Sequence, residues 1–482
     1  MLFRSTFAFL GHRADYYIPH RLDEGYGMHT GALRKIADGG TRLVITVDNG
    51  ISALEQVDAA RAMGMDVVVT DHHRPGPTLP SAVAVVNPNR ADCTNPNRHL
   101  AGVGVAFKVA HAMLKHHRVE PARAVGFLRS VLDLVAIGTV ADVAPLADEN
   151  RTLVKHGLER LGATTNAGIA ALKDQLDMAP GAVSAEKVGF QIAPRLNAAG
   201  RTQHANVCVE LLTTDDADRA AAIARQLEDF NRERRSVEAV IYEQSLALVR
   251  GSLDLDSQRV LVVSGPDWHI GVIGIVASKL LDAFCRPTIV ISELNGHGKG
   301  SARSVEGFNM HAALEACSEH LVTFGGHPGA AGLQIDTHRI GAFREAINLH
   351  AGAMLPEGGV EPSLLIDTEV LAGELDMGLA VGAGVLEPFG QANPAPVFAM
   401  RGMTLAEQPR VVGNNHLKLT LSAPNAPRIA AIGFGMGAHA AELSRTARPS
   451  IDVAFEPAIN DYFAGTERLE MRLRDLKIVN GQ

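Results

Sequence analysis

The stretch TRLVITVDNGISALEQVDAARAMGMDVVVTDHH, Thr41–His73, decides the fold. Thr41–Asp48 is an apolar run that ends in a carboxylate, which predicts a buried strand. Ser52–Met63 has helical spacing, and Gly64 can stop that helix. Met65–Thr70 predicts the next strand, which runs straight into Asp71, His72 and His73. Strand, helix, strand at this spacing implies parallel strands with a right-handed crossover. Polar residues at the carboxyl ends of such strands lie where open α/β sheets bind ligands.

Working outward, Leu100–His117 is mostly apolar, helical, and opens with the Gly-rich turn AGVGVAF. Phe127–Ile137 leads into GTVADVAPL, Gly138–Leu146, where the run DLVAIGTVADVAPL predicts another apolar strand ending in a carboxylate. A helical region follows, and Ala217–Arg250 predicts one long polar helix of the kind that bridges domains. A second α/β unit starts at Arg259–Ser264 and continues through a helix at Gly274–Phe284 and a strand at Thr288–Ser292 into a Gly-rich segment. Leu355–Pro362 reads as a linker. After it come short strands at Pro396–Met400, His416–Leu421, Arg428–Phe434, Ile451–Phe455 and Met471–Lys477, which suggest a small barrel of the OB type. The predicted architecture is therefore α/β. A parallel-sheet domain covers residues 1–165, a helical connector 166–250, a second α/β domain 251–355 and an OB-type domain 362–482.

Composition is compatible with this. The chain has 482 residues and an ordinary apolar fraction of 46%. No apolar run reaches the ~18–20 residues of a membrane span. Met1–Leu10 makes a poor secretory signal, because its apolar core is short and no small-residue cleavage site follows. Four scattered cysteines show no metal or redox spacing, which points to a reducing cytoplasm rather than a disulfide framework. The formal charge of −8 argues against a surface that is basic all over. It leaves room for a nucleic-acid enzyme with a local basic stripe, and bound ions offset metal-binding carboxylates.

Asp48, His72 and His73, with Asp71 beside them, are the first residues that carry chemistry. Adjacent strands deliver a carboxylate and imidazoles to one sheet edge, a donor set suited to Mn²⁺, Mg²⁺ or Zn²⁺. Two such ions ~3.5–4 Å apart can activate a water and stabilise the leaving oxygen of a phosphodiester. The bland alternative is a helix-capping Asp and a surface His pair. Asp133 and Asp142, at a third predicted strand end, shift the balance toward a shared metal site. Gly298–Ser304, GKGSARS, reads either as a plain Gly-rich turn or as an anion site. In the latter, glycines admit backbone N–H groups, Ser301 adds a hydroxyl and Arg303 a planar fork.

The ordered set VDNG, TDHH and GTVADVAPL resembles motifs two, three and four of the DHH phosphoesterase superfamily. YYIPHRLDEGYG (Tyr16–Gly27) resembles the segment after the first motif in the RecJ family. The later motifs APRLNAAGR (Ala193–Arg201), DWHIGVIGIVASKL (Asp267–Leu280), GKGSARSVEGFNMHAAL (Gly298–Leu314), GGHPGAAG (Gly325–Gly332) and LEPFGQANPAPVF (Leu386–Phe398) resemble that family too. The resemblance covers essentially the whole chain. It implies a metal-dependent exonuclease that degrades single-stranded DNA from the 5′ end to mononucleotides, in repair and recombination. The implied metal is Mn²⁺ or Mg²⁺ in a two-metal site, with Asp48, His72, His73 and Asp142 as catalytic metal ligands. Asp71 would orient an imidazole, and Asp133 would support the site or serve as a helix or turn acid. Arg21, Ser301 and Arg303 would hold the 5′-terminal phosphate. Arg195, Asn197 and Arg201 would line the strand's path, and His327 would touch DNA. Trp268 and His269 would either meet the strand or belong to the core. The implied partners are single-stranded DNA, a single-strand-binding protein and a helicase, with no membrane and a monomeric chain.

The chain departs from the family in two places. The D-x-D-x-D-G first motif lies upstream of YYIP in the family, and this sequence begins after it, so those ligands are expected to be missing and the activity of this form is left open. His20 stands where the family carries Asn. Two rival functions stay open: a single-strand-binding remnant with an incomplete metal site, and a phosphodiesterase of small substrates. The long helix and the barrel weigh against the second, since small substrates need neither.

Overall fold

The computed structural model describes residues 1–20, 24, 27–178, 181, 183–202, 204–252, 254–255, 257–356, 360–424, 427–445, 449–460 and 468–479. Two compact units make up the chain: Met1–Asp142 with His156–Pro362, and Val143–Lys155 with Ser363–Gln482.

In the first unit, β1 (Leu43–Val47), β2 (Asp66–Thr70) and β3 (Ala84–Val86) form a parallel sheet in the order β1-β2-β3. Leu43 pairs with Asp66 and Val68 with Ala84. Val57 and Ala60 of helix Leu54–Ala62 pack with Met65, Val67, Val69 and Leu33 to form the core over this sheet. The inward residues of β2 alternate with half-buried ones, and Val67 and Val69 are fully buried. β1 departs from the expected buried strand. It is an edge strand among the described residues, and Leu43 and Val47 at its two ends are exposed.

A second correction concerns DLVAIGTVAD. It forms helix Leu132–Ala141, not a strand. An unbroken apolar run carries no period, so it fits a helix buried on all sides as well as a buried strand. Packing decides: a Cβ on Gly138 would stand 2.8 Å from Val103 Cγ1, so the bare glycine lets this helix press against Gly102–His116. That crossing places Asp142, the residue capping the helix, at the sheet edge.

Ala217–Ser252 is a single helix of 36 residues, about 54 Å long at the usual rise. Ala220, Ile223, Ala224, Leu227, Asn231, Glu238, Ile241, Ser245 and Val249 form a buried stripe at three- and four-residue spacing. The helix therefore packs along its length, against Ala167–Gln175, Ala193–Thr202 and Ile273–Phe284, and does not cross solvent as its polar sequence suggests. Polar members of the stripe are satisfied: Glu238 takes Arg234 at 2.9 Å and Lys279 at 2.5 Å.

The second sheet of this unit has the order β4-β5-β6-β8-β7. Its strands are β4 (Leu261–Pro266), β5 (Thr288–Leu294), β6 (His297–Arg303), β7 (Thr323–His327) and β8 (Ala330–Asp336). Only β4 and β5 pair in parallel. Asn295 and Gly296, both at positive φ, make the two-residue turn between β5 and β6. Thus GKGSARS is a central strand, not a Gly-rich turn. A Cβ on Gly298 or Gly300 would collide with Ile291, Ile335 or Leu333, so these glycines make room for neighbours' side chains.

In the second unit, β10 (Phe398–Leu405), β12 (His416–Ser422), β13 (Ile429–Gly433), β15 (Arg468–Val479) and β14 (Ser450–Asn460) pair in turn, and β14 pairs back to β10. This closes a five-strand ring, with β9 (Thr368–Glu369) and β11 (Arg410–Val412) at its margins. Met403, Leu417, Leu421, Phe455 and Met471 fill its core.

Candidate metal centre and nucleic-acid site

β1 ends at Val47, and Asp48 then turns into the left-handed region at φ 63°. An Asp tolerates this better than most residues, though such backbone costs about 1–3 kcal/mol. Its N–H is tied to the Thr70 carbonyl at 3.0 Å. Helix Gly102–His116 starts directly against it: a Cβ on Gly102 would lie 2.5 Å from Asp48 Oδ1 and 2.7 Å from Asp48 Cβ. Only glycine fits there without displacing the carboxylate.

β2 delivers Asp71, His72 and His73. Asp71 is 1% exposed and fully engaged. Its Oδ2 accepts from the Ile51 N–H at 2.9 Å. Its Oδ1 accepts from the N–H groups of His72 and His73 and faces His73 Nδ1 at 2.7 Å. Burial pushes its carboxyl upward, but the His73 ring and these N–H groups outweigh that and leave it below its ordinary value. The sequence placed Asp71 in this role toward an imidazole, and its contacts suit that role. Asn87 and Asn89, in the NPN turn after β3, donate to the carbonyls of His73 and His72 at 2.8 and 2.5 Å. They were not singled out from the sequence; the signal is a pair of Asn flanking Pro just past a strand.

His72 Nε2 lies 3.0 Å from Asp48 Oδ1 and 3.5 Å from Asp142 Oδ2. Donor atoms of Asp48, His72 and His73 all lie within 4.8 Å of one another. Burial disfavours the His72 imidazolium, but Asp48 and Asp142 overcome it and raise the pKa above the usual value. Asp71 raises His73 in the same direction. Asp142 stands at the carboxyl end of its helix, where the peptide dipoles add partial negative charge. Two carboxylates, that helix end and two imidazoles around one spot make a donor set that fits a divalent cation. Asp48, His72 and His73 thus form the close donor group, and Asp142 reaches it through His72.

Asp133 is not among them. It sits in the first turn of the helix that Asp142 ends, about 13 Å away along the axis. Buried at 2% exposure, it accepts from the Leu134 N–H and from Thr164 Oγ1 at 2.9 Å, and burial raises its pKa. It braces the Thr164 turn, as the alternative of a helix acid had it.

The strand-path residues divide similarly. Arg195 is paired with Glu228 of the long helix at 2.6 Å and mostly buried, so it joins two helices. Asn197 is exposed. Arg201 donates to the Gly271 carbonyl at 2.8 Å. A π turn at Val188–Ile192 precedes these residues and leaves Phe190 79% exposed. Trp268 is core: it is 5% exposed, covers Gly265 and donates to Gln244 Oε1 at 2.7 Å. His269 Nδ1 accepts from the Gly271 N–H at 3.1 Å and so holds the loop before helix Ile273–Phe284.

On β6, Arg303 Nη1 donates to Ser301 Oγ at 3.2 Å and to the Ala302 carbonyl at 2.8 Å. Burial lowers its pKa. Both side chains lie against the start of helix Ile273–Phe284: a Cβ on Gly274 would be 2.9 Å from Ser301 Oγ and 3.1 Å from Arg303 Nη2. His327, at the end of β7, stacks on His73 with centroids 6.3 Å apart and rings 11° from parallel. The second sheet thereby borders the carboxylate–imidazole cluster. Arg21 lies outside the described residues.

The described residues contain no single helix long and apolar enough to cross a membrane. All four cysteines are free thiols.

Comparison with known proteins matches residues 1–139 to the DHH family, N-terminal domain, 257–352 to the DHHA1 domain and 366–475 to the RecJ OB domain. A Bacillus subtilis protein, the single-stranded-DNA-specific exonuclease RecJ, is 39% identical over 94% of this chain and 56% of its own length. The chain thus spans little more than half of that relative. Proteins of the same name from Dickeya dadantii and Escherichia coli are 40% and 37% identical over 73% and 72% of their lengths, and 85% and 84% of this chain. A crystal structure of RecJ with Mn²⁺ from Thermus thermophilus superposes with a TM-score of 0.82 at 29% identity, over 100% of this chain and 67% of that one.

Proposed function

The chain belongs to the RecJ family of single-stranded-DNA-specific exonucleases, and from that premise we propose that it hydrolyses single-stranded DNA from the 5′ end, releasing mononucleotides. The observation that carries this reading is the donor group of Asp48, His72 and His73 at the edge of the parallel sheet, with Asp142 against His72. Asp48, His72, His73 and Asp142 would hold Mn²⁺ or Mg²⁺, the ions in solved structures of relatives. A divalent cation there supplies an activated water and a counter-charge for the phosphodiester. Asp71 fixes the His73 ring through Nδ1, which would leave its other nitrogen available to a cation.

Ser301 and Arg303 bind the terminal phosphate. A guanidinium with no carboxylate partner among the described residues, next to a hydroxyl and the start of a helix, suits a phosphate dianion. With the 5′ phosphate held there, hydrolysis falls on the first phosphodiester and gives the polarity. In the first unit His327 and the exposed Asn197 and Phe190 contact the strand, and in the second the five-strand ring offers a stacking face at Phe434, which is exposed beneath the Arg472 guanidinium. Arg201 orients the loop through Gly271, and Arg21 is assigned to the phosphate by family resemblance alone. The reaction requires a free single-stranded end, so a helicase that makes it and a single-strand-binding protein that keeps it open are the fitting partners. A reducing cytoplasm suits the free thiols.

The test incubates the chain with Mn²⁺ or Mg²⁺ and 3′-labelled single strands, with and without a 5′ phosphate, and with the matching duplex. Progressive shortening of the 3′-labelled single strand is expected, with the labelled mononucleotide appearing last, and its loss in Asp48→Ala and His72→Ala. Equal digestion of duplex, digestion from the 3′ end, or activity in the presence of chelator would overturn the reading.

A further inference from the structure

Between helix Ala193–Thr202 and helix Asn206–Thr213 lies a cavity of about 280 Å³. Ile18, Leu196, Val209 and Leu212 give it apolar walls, and Asn197 and Arg201 a polar rim. Its size lies below the ~300–1,000 Å³ of pockets that enclose drug-sized ligands, which suits a single heterocycle. Walls of aliphatic carbon with two amide or guanidinium groups at the mouth match a flat ring with hydrogen-bonding edges. His20 and His204, with rings stacked at 5.7 Å, tie the Ile18 segment to the turn between the two helices. Cys208 also lines the cavity, but burial pushes its thiol up to about 12 and it donates to the Leu196 carbonyl at 3.4 Å, so it offers surface and no nucleophile.

What identifies the occupant is the connection of this cavity to Ser301 and Arg303. Arg201, on the rim, donates to the Gly271 carbonyl. A Cβ on Gly271 would in turn touch the Arg201 carbonyl at 2.7 Å, so the two backbones are in contact. Three residues on, Gly274 abuts Ser301 Oγ and Arg303 Nη2. The rim and the phosphate-binding pair thus share one short loop. We propose that the cavity receives the nucleobase of the 5′-terminal nucleotide while Ser301 and Arg303 hold its phosphate. The inference rests on the exonuclease reading and adds a subsite to it: the end of the strand is recognised by base as well as by phosphate. Aliphatic walls and two flexible polar groups discriminate little among the four bases, so the subsite senses that a base is present.

Gly200 provides the test. It lines the cavity inside a helix, and a Cβ there would meet only Ala205 Cβ, at 3.8 Å. Gly200→Leu therefore fills the space while raising helix propensity. Affinities of wild type and Gly200→Leu are measured at fixed salt in chelator for 5′-phosphorylated strands that are intact, abasic at the first nucleotide, or abasic at the fifth. The wild type is expected to lose about tenfold for the first-position abasic strand and much less for the fifth, the size of one stacked base. Gly200→Leu is expected to bind the intact strand at that reduced level and to lose nothing further on removal of the first base. Equal wild-type binding of intact and first-position abasic strands overturns the proposal while leaving the exonuclease reading in place, and it decides even if the variant misfolds. Undiminished binding of the intact strand by a folded Gly200→Leu overturns it as well. Failure of the wild type both to bind any single strand and to digest one with Mn²⁺ present overturns both.

Discussion

Replacing Gly102 by alanine isolates the geometry of the candidate metal centre with one added carbon. The new Cβ would stand 2.7 Å from Asp48 Cβ and 2.5 Å from Asp48 Oδ1. Carbon atoms pack comfortably at ~3.5–4.0 Å, so roughly 1 Å of separation must be found. The Asp48 backbone cannot supply it cheaply, because its N–H is bound to Thr70 and its φ of 63° is already unfavourable. Rotating the carboxylate would relieve the Oδ1 contact but not the Cβ contact, so the Asp48 segment or the start of helix Gly102–His116 must shift, and the carboxylate moves relative to its neighbours. Metal–ligand distances tolerate about 0.2 Å, several times less than the shift imposed. Overpacking costs about 1–3 kcal/mol. It is offset by about 0.4–1 kcal/mol from the smaller freedom of unfolded alanine. Net destabilisation is then roughly 0–2.5 kcal/mol, small enough for a folded protein. The expected functional effect is larger, roughly a 10- to 100-fold loss of Mn²⁺ affinity, as when a ligand's support is removed. Titration calorimetry with Mn²⁺ reads it. Gly126→Ala is the control, because nothing lies within 4 Å of a Cβ there. If Gly102→Ala binds Mn²⁺ as the wild type does, Asp48 is not a ligand in the arrangement described.

Arg303→Gln is expected to weaken binding of 5′-phosphorylated strands by about 10- to 100-fold, the size of lost charge-assisted bonds, and 5′-hydroxyl strands far less; equal losses would remove Arg303 from the terminal phosphate. Asp71→Asn and Asp133→Asn make a contrasting pair: the first is expected to lower Mn²⁺ affinity about 10- to 100-fold, the second to leave it unchanged, and equal effects would refute the distinction drawn from their contacts. The pH dependence follows from His72 and His73, whose pKa values are raised above 6.5 by their carboxylate neighbours. Stability from these imidazolium–carboxylate pairs is fully present below pH about 6.5 and is lost as pH rises through the raised values. Because metal binding needs neutral imidazoles, Mn²⁺ affinity should rise over that same interval with proton release; calorimetry in buffers of different ionisation enthalpy measures it, and a buffer-independent heat would refute it. Phe434→Ala should weaken long single strands several-fold and short ones not at all; a loss independent of strand length would assign Phe434 another task.

Much of the fold was legible in the sequence because its signals are local. The Asp48 and Asp71–His73 clusters stand at the ends of runs whose spacing reports strand, helix and strand over a few residues, and the long helix from Ala217 announces itself by composition and periodicity. Chain order alone therefore set a carboxylate beside two imidazoles, since adjacent parallel strands deliver their carboxyl ends to one edge. Other features depended on what packs against what. LDLVAIGTVA has no period, and only the neighbouring helix, pressed into Gly138, made it a helix that presents Asp142 and carries Asp133 away. Arg195 looked free to bind a strand until Glu228, 33 residues on, claimed it. The glycines of GKGSARS resembled an anion loop and are instead space for Ile291, Leu333 and Ile335, while Gly102, in an unremarkable turn, guards the carboxylate. Periodicity reports each residue's own strand or helix, whereas the partner of a charge and the need for a bare Cα are properties of distant segments in contact, which exist only once the chain has folded.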